Sequence, residues 1–297
     1  MRTKNELRDV IELVLVPGLA AVLPWRWCFR LYRWLAAHCH WLYRESCDRA
    51  LREAATRIDV GDAKRWLMER RLVTLVDHAD YYLGHWRSDR WMDQHLSVEG
   101  AWPESGATLL CTFHWGAGMW GLRHAARSGI HAHALVAATE GAHFVRRTVM
   151  HRYAIARTRE VARALRRPTF DVSASLRPVI RALRDGSPVL AVVDIPADEV
   201  DVSHEVSLLG MRTRMAQGML RLAVDQQLPV VVYLTGIRLS DGHRFLRIHR
   251  LPVCASVSEL LPQVFVWLER ALQEDGVQWH FWGEAPRFFV DVPPTVK

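Results

Sequence analysis

Lysine is nearly absent from this 297-residue chain: Lys4, Lys64 and Lys297 stand alone among 39 basic residues. Paired-cysteine motifs are missing too. The five cysteines, Cys28, Cys39, Cys47, Cys111 and Cys254, include no CxxC and are odd in number. That argues against a disulfide framework or a zinc site and fits a reducing compartment. His131 and His133 share one face of a strand, yet no nearby cysteine or carboxylate completes a metal-ligand set, so no metal is expected. The glycine signatures of common chemistries are also lacking. There is no GxSxG elbow and no GxxxxGK[ST] loop, and Gly116-Ala117-Gly118 supplies only the first pair of a dinucleotide fingerprint. The apolar stretch from Val10 to Trp25 is broken by Glu12, Pro17, Gly18 and Pro24, so it lacks the ~20 uninterrupted residues of a spanning helix.

What is present is globular in character. Half the residues are hydrophobic and 24% are charged, enough to bury one large core or two smaller ones. The net charge of +7 is unevenly spread. Between Glu140 and Arg167 there are eight arginines and two carboxylates. An arginine-rich face favours anionic partners such as phosphate groups, an acidic carrier protein or an anionic membrane. Nucleic-acid binding needs base-reading or stacking groups on such a face; the arginine helix around 146–167 could serve, but phosphate or carrier binding explains it as well, and nucleic acid is not expected as a partner.

A second concentration lies near the start. Trp25, Arg26, Trp27, Arg30, Arg33, Trp34 and Trp41 are interleaved with Tyr32 and Tyr43. Indole and guanidinium together suit the headgroup region of a bilayer, although a buried helical hairpin uses tryptophan as well. We expect this segment to lie on or dip into a membrane. No small-residue cleavage site follows it in the manner of a signal peptide.

Residues 1–95 read as helical and membrane-associated, with Asp59-Val60-Gly61-Asp62 starting a helix over Ala63 to Leu83. From residue 96 onward the texture changes. Strands are expected at Thr108–Phe113, Ala132–Ala137, Val189–Val193, Val230–Leu234 and Phe245–Ile248. Helices are expected at Ala117–Arg127, Ala142–Leu165, Leu176–Arg184, Met215–Gln226 and Val257–Gln273. This alternation predicts an α/β domain over 96–297: a mixed, largely parallel sheet flanked by helices, with the helical membrane-proximal region packed on it.

Ligands of such sheets bind beyond the carboxyl ends of the strands. His114 and Asp194 each stand just past an apolar strand. His114 ends the run Leu109-Leu110-Cys111-Thr112-Phe113 and precedes Trp115, Gly116, Gly118 and Met119 at a strand-to-helix corner. A neutral imidazole there can serve as a general base, or it can merely cap a buried strand. A carboxylate after a strand, in turn, often only caps the next turn. Cys111, inside the strand, reads as core rather than nucleophile.

From Val98-Glu99-Gly100 to Trp279-His280-Phe281-Trp282 the chain resembles the bacterial late acyltransferases of lipid A biosynthesis, within the lysophospholipid acyltransferase superfamily. The resemblance rests on an ordered series: Leu23-Pro24-Trp25-Arg26 with Leu31-Tyr32-Arg33, Glu99-Gly100 and the His114 corner. It continues through Leu183-Arg184-Asp185-Gly186 with Val192-Val193-Asp194, Val206-Ser207-Leu208-Leu209-Gly210 with Gly218, and Gln278-Trp279-His280. It implies acyl transfer from a carrier-protein or coenzyme A thioester to a hydroxyl or amine of a membrane lipid or lipid-like acceptor. The thioester is a co-substrate and no cofactor is implied. It also implies a peripheral or N-terminally anchored position on the cytoplasmic face of a bacterial inner membrane.

The chain departs from that family where the chemistry matters. The family's histidine is followed five residues later by Asp or Glu; here that position is Met119. Three arrangements satisfy the sequence. His114 acts alone, or Glu140 or Asp194 replaces the missing acid, or acyl transfer is lost and the chain persists as a lipid- or carrier-binding scaffold. Trp115, Gly116, Gly118 and Met119 would line the substrate side. Arg146, Arg147, Arg152, Arg157 and Arg159 would meet an anionic donor.

Overall fold

The computed structural model of the protein describes residues 2–104, 106–136, 147–173, 175–199 and 203–290. Helix α1 (Arg2–Asp9) passes through a π-helical turn, Val10–Leu15, into α2 (Val16–Val22). Leu23 is extended because Pro24 bars it from the helical region, and α3 (Trp25–His38) then sets off. Helices α4 (Arg44–Ala54), α5 (Ala63–Trp86) and α6 (Asp89–Asp93) complete the helical part. Asp62 caps α5 as expected, its carboxylate accepting from the Lys64 and Arg65 amides.

The α/β part runs β1 (Leu96–Glu99), β2 (Leu109–Thr112), α7 (Gly118–Arg127), β3 (His133–Val136), α8 (Thr148–Leu165), β4 (Phe170–Asp171), α9 (Arg177–Arg184) and β5 (Val189–Val192). A hairpin of β6 (Ser203–Leu208) and β7 (Met211–Ala216) follows, then α10 (Gly218–Asp225), β8 (Val230–Ile237), β9 (Arg244–Leu251) and α11 (Val257–Asp275). Among the described residues one seven-stranded sheet has the order β1-β9-β8-β2-β5-β3-β4, and only the β8–β9 pairing is antiparallel. The expected mixed, largely parallel sheet flanked by helices is therefore observed.

Side-chain alternation along the strands divides the core. Leu109, Cys111, Val189, Ala191, Val230 and Val232 pack with Val179 of α9, Leu220 of α10 and Phe265 of α11. Leu110, Leu190 and Val231 pack on the opposite face with Met119 and Leu122 of α7 and Leu165 of α8. Both faces are covered, which is why β2 and β8 read as unbroken apolar runs. Cys111 is core as expected, and burial pushes its thiol well up.

The N-terminal helices form a third cluster, in which Trp25, Tyr32, Leu75 and Leu83 meet Trp120 of α7 and Ile237 of β8. A fully buried ion pair crosses this junction. Arg244 of β9 meets Asp80 of α5, and its guanidinium lies 4.1 Å from the Trp25 ring centroid and 4.5 Å from that of Trp120. So the tryptophan-rich segment is divided by face: Trp25 is core, whereas Trp27, Trp34 and Trp41 are exposed.

Candidate active site

Strands β2 and β5 are parallel neighbours in a register that pairs Thr112 with Val192. Two residues further on, His114 and Asp194 therefore stand abreast. The His114 amide donates to both carboxylate oxygens of Asp194 at 3.0 Å, and ring Nδ1 lies 3.0 Å from Oδ1. Trp279 Nε1 donates to Oδ2 at 2.8 Å. The carboxylate is 0% exposed and already accepts from the His114 amide and the Trp279 indole; as an ionised carboxylate it can only accept, so toward Nδ1 it acts as an acceptor. That assigns the proton of the neutral imidazole to Nδ1 and leaves Nε2 as the basic nitrogen. The His114 side chain is 36% exposed, and Phe281 stacks on its ring at 3.7 Å between centroids. Of the two candidate acids, the structure brings Asp194 to the histidine; Glu140 lies outside the described residues.

The corner after His114 is held by the segment from Gln278 to Phe281. Gly116 N donates to Gln278 O at 3.0 Å, Ala117 N to Thr235 O at 2.8 Å, and His280 N to His114 O at 2.7 Å. The Gln278 side chain, itself buried, bridges both backbone groups of Ile237. Gly116 is irreplaceable by geometry. Its φ is +51°, and a Cβ would lie 2.6 Å from Thr235 O and 2.9 Å from Gly236 Cα. Gly118 differs, because a Cβ there meets nothing within 4 Å. Gly116→Ala should accordingly cost more than the ~1–2 kcal/mol of the left-handed conformation alone. Gly118→Ala should leave the urea midpoint within experimental error. Equal midpoints for the two variants would refute this account of the corner.

The other expected substrate-side residues scatter. Trp115 and Met119 are 4% exposed, and Met119 belongs to an apolar cluster with Leu110 and Leu122. Arg147 is tied to Asp9, with Nε 3.0 Å from Oδ2, and Arg157 is held bidentately by Asp77 at 2.8 and 2.6 Å. These two arginines are thus ion-paired within the chain rather than forming an open anion-binding surface. Arg152 and Arg159 are exposed, while Arg146 lies outside the described residues. His133 stacks on Phe170, and its Nδ1 lies 2.8 Å from Pro168 O.

Sequence reasoning missed a group of polar side chains next to the corner. His280 Nε2 is 2.9 Å from Gly116 O, and Arg70 Nη2 is 3.3 Å from His280 Nδ1. Because arginine can only donate, Nδ1 is the acceptor and Nε2 carries the proton. Burial, helped by the Arg70 charge and opposed by Asp77, lowers His280 to about 4. Nearby, His78 Nδ1 lies 2.9 Å from the Tyr153 hydroxyl, and burial, opposed by Asp77 but helped by Arg157, lowers His78 to about 3. The only sequence signal was His280 in the late block.

A pH dependence follows from the two depressed histidines. The unfolded chain takes up protons near the ordinary histidine value of about 6.5, whereas the folded chain resists until about 4 and about 3. The folded state therefore binds fewer protons in this window, and stability falls as pH drops below about 6.5. The expected loss is on the order of 1–2 kcal/mol per ring once solvent access is allowed for. His78→Gln and His280→Gln should each flatten a plot of urea midpoint against pH between 7 and 4.5; slopes equal to wild type would refute the assignment.

No protein-family model matches this chain, and a search of curated proteins finds no relative.

Proposed function

We propose that the protein is an acyltransferase. It moves an acyl group from a thioester, on acyl carrier protein or coenzyme A, to a hydroxyl or amine of a membrane lipid or lipid-like acceptor. One observation carries the reading: a half-open histidine bonded through Nδ1 to a buried aspartate, at the carboxyl ends of two adjacent parallel strands. His114 Nε2 takes the acceptor's hydroxyl proton as its oxygen attacks the thioester carbonyl carbon. The tetrahedral intermediate collapses, the C–S bond breaks, and the imidazolium returns its proton to the leaving sulfur. The products are an ester and a free thiol. Asp194 keeps its charge throughout, fixing the tautomer and stabilising the imidazolium. On this reading Met119 needs no acidic replacement, since the acid arrives from β5. Mass spectrometry of lipids from a deletion strain tests the proposal. One lipid class should lack an acyl chain that the wild-type gene restores and His114→Ala does not. An unchanged lipid profile in the deletion strain would favour a binding protein on this fold.

The acceptor's location is part of the proposal. On α3, Trp27 and Trp34 share the exposed face with Arg26, Arg30 and Arg33, and exposed Trp41 follows. The Arg30 guanidinium sits 5.6 Å from the Trp27 ring centroid. No acidic residue occurs from 13 to 44. This composition suits an anionic headgroup layer, and we assign the face to the cytoplasmic side of a bacterial inner membrane. Among the described residues no helix is long and apolar enough to cross a membrane. Replacing Trp27, Trp34 and Trp41 together by Ser should leave the fold intact and weaken binding to phosphatidylglycerol vesicles about tenfold or more. Added salt should weaken the remainder further. Undiminished vesicle binding by the triple variant would put the anchor elsewhere.

A further inference from the structure

Beside His114, six polar side chains form one cluster. Arg70, Asp77 and His78 come from α5, Tyr153 and Arg157 from α8, and His280 from the segment behind the corner. The cluster adjoins the candidate active site, because His280 N donates to His114 O at 2.7 Å. Four of its members, His78, Tyr153, Arg157 and His280, are partly exposed. Its charges do not balance. Asp77 is matched bidentately by Arg157; burial pushes its carboxyl up, but the charge and hydrogen bonds of Arg157, together with the neighbouring His280 and His78, hold it well below its usual range. Arg70 has no such match. It is 6% exposed, and its hydrogen bonds go to neutral acceptors: Val277 O at 2.9 Å, His280 Nδ1 at 3.3 Å and His280 O at 3.5 Å. Among the described residues no carboxylate lies within ion-pair distance of it. The two histidines cannot supply the balance, since both are held neutral.

A buried cation without a counter-charge is costly, and burial lowers the pKa of Arg70 accordingly. Stability alone would be served better by an apolar side chain there. Arginine pairs with oxyanions through a fork of donors, and a tetrahedral phosphate accepts from several directions at once. We propose that this cluster is a phosphate-binding subsite for one of the two substrates, with Arg70 as its principal cation, Arg157 as the second, and His78, Tyr153 and His280 around them. The word substrate rests on the acyl-transfer reading; the phosphate chemistry rests on the cluster. Its net charge of +1 favours an anion such as a phosphate ester. Two sources share that chemistry: the headgroup of a lipid acceptor and the phosphopantetheine arm of the donor.

The test uses the full chain with 15N-labelled histidine, titrated with glycerol 3-phosphate in one arm and pantetheine 4′-phosphate in the other. Glycerol and pantetheine are the phosphate-free controls. Ring signals of His78 and His280, identified from His78→Gln and His280→Gln, should shift saturably with at least one phosphate compound and with neither control. The arm effective at lower concentration names the source. Arg70→Gln should weaken the response about tenfold or more, and Arg70→Lys should retain part of it. No shift of either ring in the wild-type protein overturns the proposal whether or not the variants fold. So does an undiminished response in folded Arg70→Gln. His114→Ala separates the two readings. It should still bind phosphate while failing to restore the lipid profile. If it restores that profile, the acyl-transfer reading fails while the phosphate site stands.

Discussion

His114→Ala should melt near the wild-type temperature while its acyl transfer falls by ~10²–10⁴. The ring is partly open to solvent and stacks on Phe281, so its loss removes little packing. Asp194→Asn should behave differently in both respects. The amide would point a donor at groups that already donate, since the His114 amide, His114 Nδ1–H and Trp279 Nε1–H all face this carboxylate. One of them loses its acceptor in a fully buried place, a cost of about 1–3 kcal/mol. The imidazole also loses the partner that keeps its proton on Nδ1, which in comparable histidine–acid pairs costs ~10⁴ in turnover. Lipid profiles from the complemented deletion strain, read beside thermal melts, check both variants. Full activity in His114→Ala, or in a folded Asp194→Asn, would end the general-base reading.

Met119→Glu should destabilise the protein by about 3–5 kcal/mol and bring no gain in transfer. Position 119 is where the resembled family carries its acid, so the substitution looks restorative in the sequence. In the fold it is ruinous. Met119 is 4% exposed, in an apolar cluster with Leu110, Leu122, Ile130 and Tyr233. A carboxylate there would be desolvated among apolar side chains, whereas Met119→Leu should cost less than about 1.5 kcal/mol. Urea unfolding distinguishes the two. A Met119→Glu protein of wild-type stability and raised activity would show that the corner can rearrange to present residue 119 to the histidine.

The main strands and the helices between them were legible because burial on both faces leaves unbroken apolar runs, as in β2 and β8. What escaped notice lacks that mark. Strand β1 lies at the sheet edge with three of its four residues exposed, and β4 is two residues long. The β6–β7 hairpin is polar, and its turn places Leu209 and Gly210 both at positive φ, a conformation that usually announces itself by Asn-Gly. As a result, Met215 and Ala216 read as the start of a helix that begins at Gly218. The candidate site was half legible. His114 and Asp194 each showed as strand-end residues, but their pairing depends on β5 inserting between β2 and β3. Connection order says nothing of such an insertion. Arg70, Trp279 and Phe281 reach the site from distant parts of the chain, and nothing in their local spacing pointed there.

The buried pair of Arg244 and Asp80, clamped between Trp25 and Trp120, has a practical consequence. Cutting away the first 45 residues would strip Trp25 from one side of a desolvated guanidinium and open the cluster behind it. A shortened chain would then fail for reasons unrelated to lipid. A variant meant to test the exposed face should keep the backbone whole and change only Trp27, Trp34 and Trp41. The same clamp makes the protein indivisible when it unfolds: helices and sheet should melt in one step, and a protease should find no hinge at which to part them.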